Sequence, residues 1–358
     1  MRRHDGFSLV ELMVAITLAL LLTGAVISVF VGSRSAYEAT AGVGDMADAG
    51  RFALNLIGES VRSAGNLACN SAMSATSQTV VPGAPGVTFA NNFGQGVAGF
   101  EATGTAPAAA IALPAVPAVG NAGNWTPNLD PAMTAAIPGP LGAPVQGSDV
   151  LVVRSSVPRV SAVYTTADVA PGAASLFVTP VPIAITPAQY AAVSDCTKSV
   201  IFQVAAVAAG APSTVTLNAG LPGVGFSAGA FVTPLTTTVY YIGVGSDGDS
   251  SLWRLEQVNG PGFAAPEELV PDVENLQVLY GIDPAGTQTA AAYVTADQVG
   301  AVNVVGVEVA LLVASPPVSR PMPAAPAYNL LGTLVTAPAD NRSRQVFYAT
   351  INVRDAVN

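Results

Sequence analysis

One lysine (Lys198), one histidine (His4) and two cysteines (Cys69 and Cys196) are all that this 358-residue chain has of those types. Charged residues make up only 10% of it, less than half the share usual for a soluble domain. With a net charge of −10 and scattered arginines, no basic patch forms, so nucleic acid is not an expected partner. A lone histidine so near Met1 leaves a Ser-His-Asp triad or a histidine-based zinc site without its imidazole. No cofactor is expected. What is abundant is apolar: 51% of the residues are hydrophobic, with 35 glycines and 28 prolines. That mixture predicts many turns and few long helices beyond the N-terminus.

Charge is absent altogether from Leu12 to Ser33, 22 positions and enough to span a bilayer core as a helix. Arg2 and Arg3 precede it, so the positive-inside rule keeps Met1 in the cytoplasm and sends the remainder across. A cleaved secretory signal fits poorly, because the run is too long and no small-x-small site closes it. A plain anchor fits the length but not Glu11, since a carboxylate in a membrane helix costs roughly 2.5–3.5 kcal/mol on insertion scales.

A short basic leader ending in Gly6, then Phe7, then Glu11 within "GFSLVELMVA" resembles the class III signal of type IV prepilins and type II secretion pseudopilins. The resemblance implies cleavage by the prepilin peptidase between Gly6 and Phe7, with N-methylation of Phe7. It also implies that Glu11 pairs with the N-terminal amine of a neighbouring subunit, which would relieve the buried charge.

Helical periodicity continues beyond the apolar run. Met46, Ala49, Ala53, Leu56, Ile57, Val61 and Ala64 recur at steps of three and four, with Arg51, Asn55, Glu59 and Arg62 elsewhere. Gly65 is the expected stop, and glycines at 24, 32, 42, 44, 50 and 58 are expected to let the helix bend or melt locally. Heptads are not sustained, which argues against a coiled coil.

Between Asn66 and Ser148 only Glu101 and Asp130 are charged. This composition predicts a variable insertion of long loops at 72–146, with Trp125 as a candidate contact residue. Strand patterns follow at 147–156, 199–207 and 236–244. Period-two alternation places Leu276, Val278, Tyr280 and Ile282 on one face, likewise Val305 to Val313, and Phe347, Ala349, Ile351 and Val353. "GVGSDG" at 243–248 has dinucleotide-motif spacing but precedes the strand-like "SLWRLEQV", so it reads as a hairpin turn. Asp247 and Asp249 read as turn residues, because the other ligands of a calcium loop are missing. No metal site is expected.

"RSAGNLAC", "GSDVLVVR", "SDCTKSVIFQV", "YYIG…SLWRLEQ", "EELVPDVENLQVLYGID" and "VEVALLVAS", in that order, resemble PilW-type minor pilins. The resemblance omits roughly 72–146 and 315–340. It implies an α+β, pilin-like fold: a long N-terminal α-helix, transmembrane in its first half, packed on a C-terminal antiparallel β-sheet domain with a long low-complexity insertion. The expected organisation is a leader at 1–6, a transmembrane and filament-core helix at 7–33, an amphipathic continuation at 34–65 and a β-rich domain at 66–358.

The same resemblance implies a Cys69–Cys196 disulfide tying the helix end to the sheet, in an oxidising compartment. The implied partners are the prepilin peptidase, other minor pilins, the major pilin and, before assembly, the inner membrane. The expected function is a minor type IV pilin that primes pilus assembly near the tip. A minor pseudopilin of a type II secretion system shares the leader, and neighbouring genes would separate the two. A pilus-associated adhesin acting through 72–146 is the third reading, which deletion of that insertion discriminates.

Overall fold

The computed structural model describes residues 8–68, 70–71, 77–80, 88–157, 163–180, 185–260, 262–300, 302–318 and 326–353. Helix α1 runs unbroken over Leu9–Arg62, 54 residues and about 81 Å at 1.5 Å per residue. Ser8 is its extended N-cap, and no proline interrupts it. It stops where Gly65 takes a φ of +76°, a conformation favouring glycine. There the Gly65 N–H donates to the Arg154 carbonyl at 2.8 Å, turning the chain into the β domain.

Burial divides α1 in two. From Leu9 to Val31 its large apolar side chains are all exposed. Farther along, Gly42, Met46, Gly50, Ala53, Ile57 and Val61 are buried, at the predicted steps of three and four. The glycines do not interrupt the helix, where the composition had suggested local melting. Two of them instead allow close approach: a Cβ on Gly50 would lie 2.4 Å from the Phe347 ring, and one on Gly42 3.2 Å from Ser315 Cβ.

The longer strands are β1 (Val97–Ala102), β2 (Val150–Ser156), β3 (Tyr190–Ser194), β4 (Ser199–Ala208), β5 (Phe231–Val244) and β6 (Ser250–Asn259). These are followed by β7 (Glu267–Pro271), β8 (Val273–Asp283), β9 (Ala292–Val294), β10 (Asn303–Ala314) and β11 (Arg344–Asn352). The large sheet runs β1–β2–β5–β3–β4, with β6 beside the far end of β5 and β7 beside β6. A second, four-stranded sheet has the order β9–β8–β10–β11 and is antiparallel throughout.

The C-terminal half of α1 covers this second sheet. Met46, Ala53, Ile57 and Val61 share one core with Leu276, Val278, Tyr280, Val307, Leu311 and Ile351. The faces expected from alternation are therefore the buried ones. β10 is buried on its other face too, where Ala310 and Leu312 meet Leu330 and Val335 of a small third sheet. Two pairings are parallel, a departure from the wholly antiparallel expectation: Ser77–Val80 beside β4, and Thr333–Thr336 beside Ala110–Ala112.

Over residues 88–146 the expected loop insertion is a packed layer. Phe100, Trp125 and Met133 form a core with Val152, Tyr241 and Leu255. Trp125 is 1% exposed, and its indole Nε1 donates to the Ser148 carbonyl at 2.8 Å. It is thus a core residue and not a displayed contact. Few charges mean burial here, since β1 is itself a strand of the large sheet and Trp125, Leu129 and Met133 pack on one face of that sheet.

Candidate functional site

Of the residues expected to carry function, Gly6 and Phe7 lie outside the described residues, as does Cys69. Glu11 stands on the first turn of α1, exposed among exposed apolar side chains. Among the described residues its carboxylate accepts only the Ser8 N–H, at 3.4 Å, which suits a helix N-terminus. Leu9, Leu12, Met13 and Ile16 around it are each more than half exposed, and nothing among the described residues covers them. One window of α1 reaches a mean hydropathy of 2.6, long and apolar enough by length and composition to cross a membrane. Side chains of this kind need lipid or another subunit around them.

Cys196 lies in the turn between β3 and β4, at a φ of +66°. Beside it Asp195 accepts from the Thr197 N–H and hydroxyl and from Lys198. Burial alone would raise the Asp195 pKa, but those bonds hold it down at about 2. The turn is thus fixed by its own side chains.

The 243–248 stretch is the hairpin turn expected of it: Val244 pairs with Ser250, and β6 follows. Asp247 accepts the Asp249 N–H at 3.0 Å, as a turn aspartate does. Folding adds Asp272, which the sequence did not point to, to within ligand distance of Asp247 and Asp249. The cation there is Arg342, whose guanidinium pairs with both Asp249 and Asp272. Burial, partly offset by Arg342, pushes Asp272 above the usual carboxylate range. The arrangement is an ion-pair clamp on the hairpin.

Two further polar clusters had no sequence signal. Arg154 is 2% exposed and donates to the Phe89 and Gln95 carbonyls, with its guanidinium 5.3 Å over the Phe89 ring. Burial pulls its pKa down to about 10, still cationic at neutral pH. The other cluster is the carboxyl pair Glu101 and Asp149. Asp149 accepts the Ala102 and Val278 N–H groups, each at 2.9 Å, and so joins the large sheet to the four-stranded one. Thr105 Oγ1 lies 3.2 Å from Glu101 Oε1 and 3.4 Å from Asp149 Oδ1. Burial pushes Glu101 up to about 7, with repulsion from Asp297 adding to it, and raises Asp149 as well, there with repulsion from Glu101.

Residues 239–355 match the family model described as Type IV Pilus-assembly protein W. Residues 1–27 match the prokaryotic N-terminal methylation motif. These matches support a PilW-type type IV pilin. No curated protein and no solved structure matches the chain. The PilW match begins within β5 and takes in β6 to β11, so it contains the whole four-stranded sheet on which α1 packs. The methylation match covers the exposed, apolar beginning of α1, and the two together indicate membrane anchoring. Both families are structural parts of pilus assembly and not enzymes. Residues 28–238, which include the layer around Trp125, fall in neither match.

Proposed function

We propose that this PilW-type chain is a minor pilin that joins other minor pilins to prime assembly of a type IV pilus near its tip. The observation that carries this reading is the division of α1. Its first half is apolar, exposed and matched to the methylation motif; its second half is docked on the sheet matched to the pilus-assembly family. A subunit built so can rest in the inner membrane by the same surface it later buries in a filament.

In this reading the prepilin peptidase cuts between Gly6 and Phe7, and Phe7 becomes N-methylated. Glu11 then takes a neighbouring subunit's terminal amine as its partner. The N-terminus is cytoplasmic, and the β domain is periplasmic and then extracellular. A Cys69–Cys196 disulfide, formed after export, would fasten the segment just after α1 to the β3–β4 turn.

Mass spectrometry of the mature N-terminus tests the reading, on membrane and sheared-surface fractions, with and without the peptidase. The expected product is N-methylated Phe7 in the sheared fraction, dependent on the peptidase. An intact Met1, or cleavage beyond residue 33, would make the chain an anchored or secreted protein instead.

A further inference from the structure

We propose that the open edge of β11 is a docking strand for an extended segment of a different pilin-type subunit. The inference rests on the pilin reading above and names the surface through which a partner joins.

Among the described residues β11 is the last strand of its sheet, paired on one side only. Its register with β10 is unbroken from Ala314↔Arg344 to Gly306↔Asn352. Just beyond its ends, Ser315 N–H donates to Ser343 O at 2.8 Å and Val353 N–H to Val305 O at 3.0 Å. Antiparallel alternation then turns the backbone groups of residues 345, 347, 349 and 351 toward β10. Those of Val346, Tyr348, Thr350 and Asn352 point to the open side. Among the described residues none pairs with them.

Proteins protect such edges with prolines, lysines, bulges or short strands. β11 has none of these over its nine residues. Its one charge, Arg344, is held inward by Glu274 and Asp340. At the opposite end of the same sheet β9 has only three residues. Tyr348, 77% exposed, stands on the open edge with exposed Thr350 and Asn352 close by.

The direction of α1 selects the occupant. Gly42 packs against Ser315, which lies beside Ser343, and Gly50 packs against Phe347. Helix and strand therefore advance together, about 12 Å along the helix and about 13 Å along the strand. An antiparallel pair of two β11 edges would reverse one α1, and two reversed apolar halves cannot enter one membrane in the same sense. A parallel self-pair is weaker per residue and needs a one-residue stagger that no twofold axis supplies. A different subunit, with an edge strand opposed to its own helix, meets β11 antiparallel while both helices point into the membrane. Its strand should alternate: apolar side chains extending the Phe347, Ala349 and Ile351 layer, then aromatic or hydroxyl groups against Tyr348 and Thr350.

The test places a photoreactive phenylalanine analogue at Tyr348 in the full chain, expressed in its native cells, and identifies cross-linked peptides. The expected product joins residue 348 to an extended segment of another pilin-type protein. Thr350→Pro removes an outward N–H without costing a β10 bond, and its cross-link should fall about tenfold. Thr350→Lys, which keeps the strand backbone intact, should act in the same direction. A cross-link to a second copy, or only to proteins that are not pilins, overturns the proposal. So does a cross-link that both variants leave unchanged. Peptidase-dependent cleavage at Gly6, followed in the same samples, must stay normal; its absence would strike the pilin reading itself.

Discussion

The Phe347 ring occupies the space that a side chain on Gly50 would need, with a Cβ there only 2.4 Å from ring carbon Cδ2. The contact sets how closely α1 approaches β11. Gly50→Ala gains about 1 kcal/mol in helix propensity but forces an overlap that costs about 1–3 kcal/mol. The expected net is a loss of stability, larger for Gly50→Val, and partly recovered when Phe347→Leu is added. Urea unfolding of the full chain in detergent checks it as a double-mutant cycle. A Gly50→Ala chain as stable as the parent would show that the helix can move away freely.

Arg344 holds Glu274 through two bonds, Nε at 2.6 Å and Nη2 at 2.8 Å, and also pairs with Asp340. Its side chain is only 1% exposed, so salt screens it little. Arg344→Met leaves two carboxylates facing each other without their cation. The expected destabilisation is about 3–5 kcal/mol, the range for breaking a buried pair. Arg344→Lys should recover only part of it, because an ammonium lacks the planar fork. Denaturation midpoints for the three chains decide; equal midpoints for Lys and Arg would mean that charge alone matters.

Local signals carried the legible part of the fold. The three- and four-step pattern from Met46 to Val61 and the alternation in β8, β10 and β11 each name a buried face directly. Glu11 within the apolar run is likewise a local anomaly. The layer around Trp125 was illegible because strands of two to six residues between prolines are too short to show a period. Low charge there could mean loop or core, and only the covering of the large sheet decides. Asp149 and Glu101 stand 48 positions apart, and Arg342 reaches Asp249 from 93 away, so their pairing belongs to topology.

Among the described residues Glu11 has only the Ser8 N–H as a partner. Glu11→Ala gives up one long capping bond at the first turn, so it should leave the rest of α1 and its cleavage unaltered. What it removes is the acceptor for a neighbour's amine, so incorporation into sheared filaments should fall at least about tenfold. Immunoblots of membrane and sheared fractions check it. Normal incorporation would mean that register is set by apolar packing alone.

The Glu101–Asp149 pair gives the β domain an unusual response to pH. Glu101 has an ordinary value of 4.5 and is raised to about 7 by burial, with Asp297 adding repulsion and Thr105 and the Ala296 backbone opposing. Tyr280, wholly buried nearby, is also pushed up and offers no positive charge. Between pH 4.5 and about 7 the folded chain keeps a proton that the unfolded chain has released. Glu101 therefore makes stability fall as pH rises through that window, by about 2 kcal/mol after allowance for solvent screening, and the raised Asp149 acts in the same direction. Glu101→Gln is neutral throughout, so it should lessen the fall and exceed the parent at pH values above the window. Urea unfolding of both chains across this window tests the sign. A parent profile that rises toward neutral pH would mean that the pair is ionised at little cost, with water or a cation reaching the Glu101 oxygen, Oε2, for which the described fold supplies no donor.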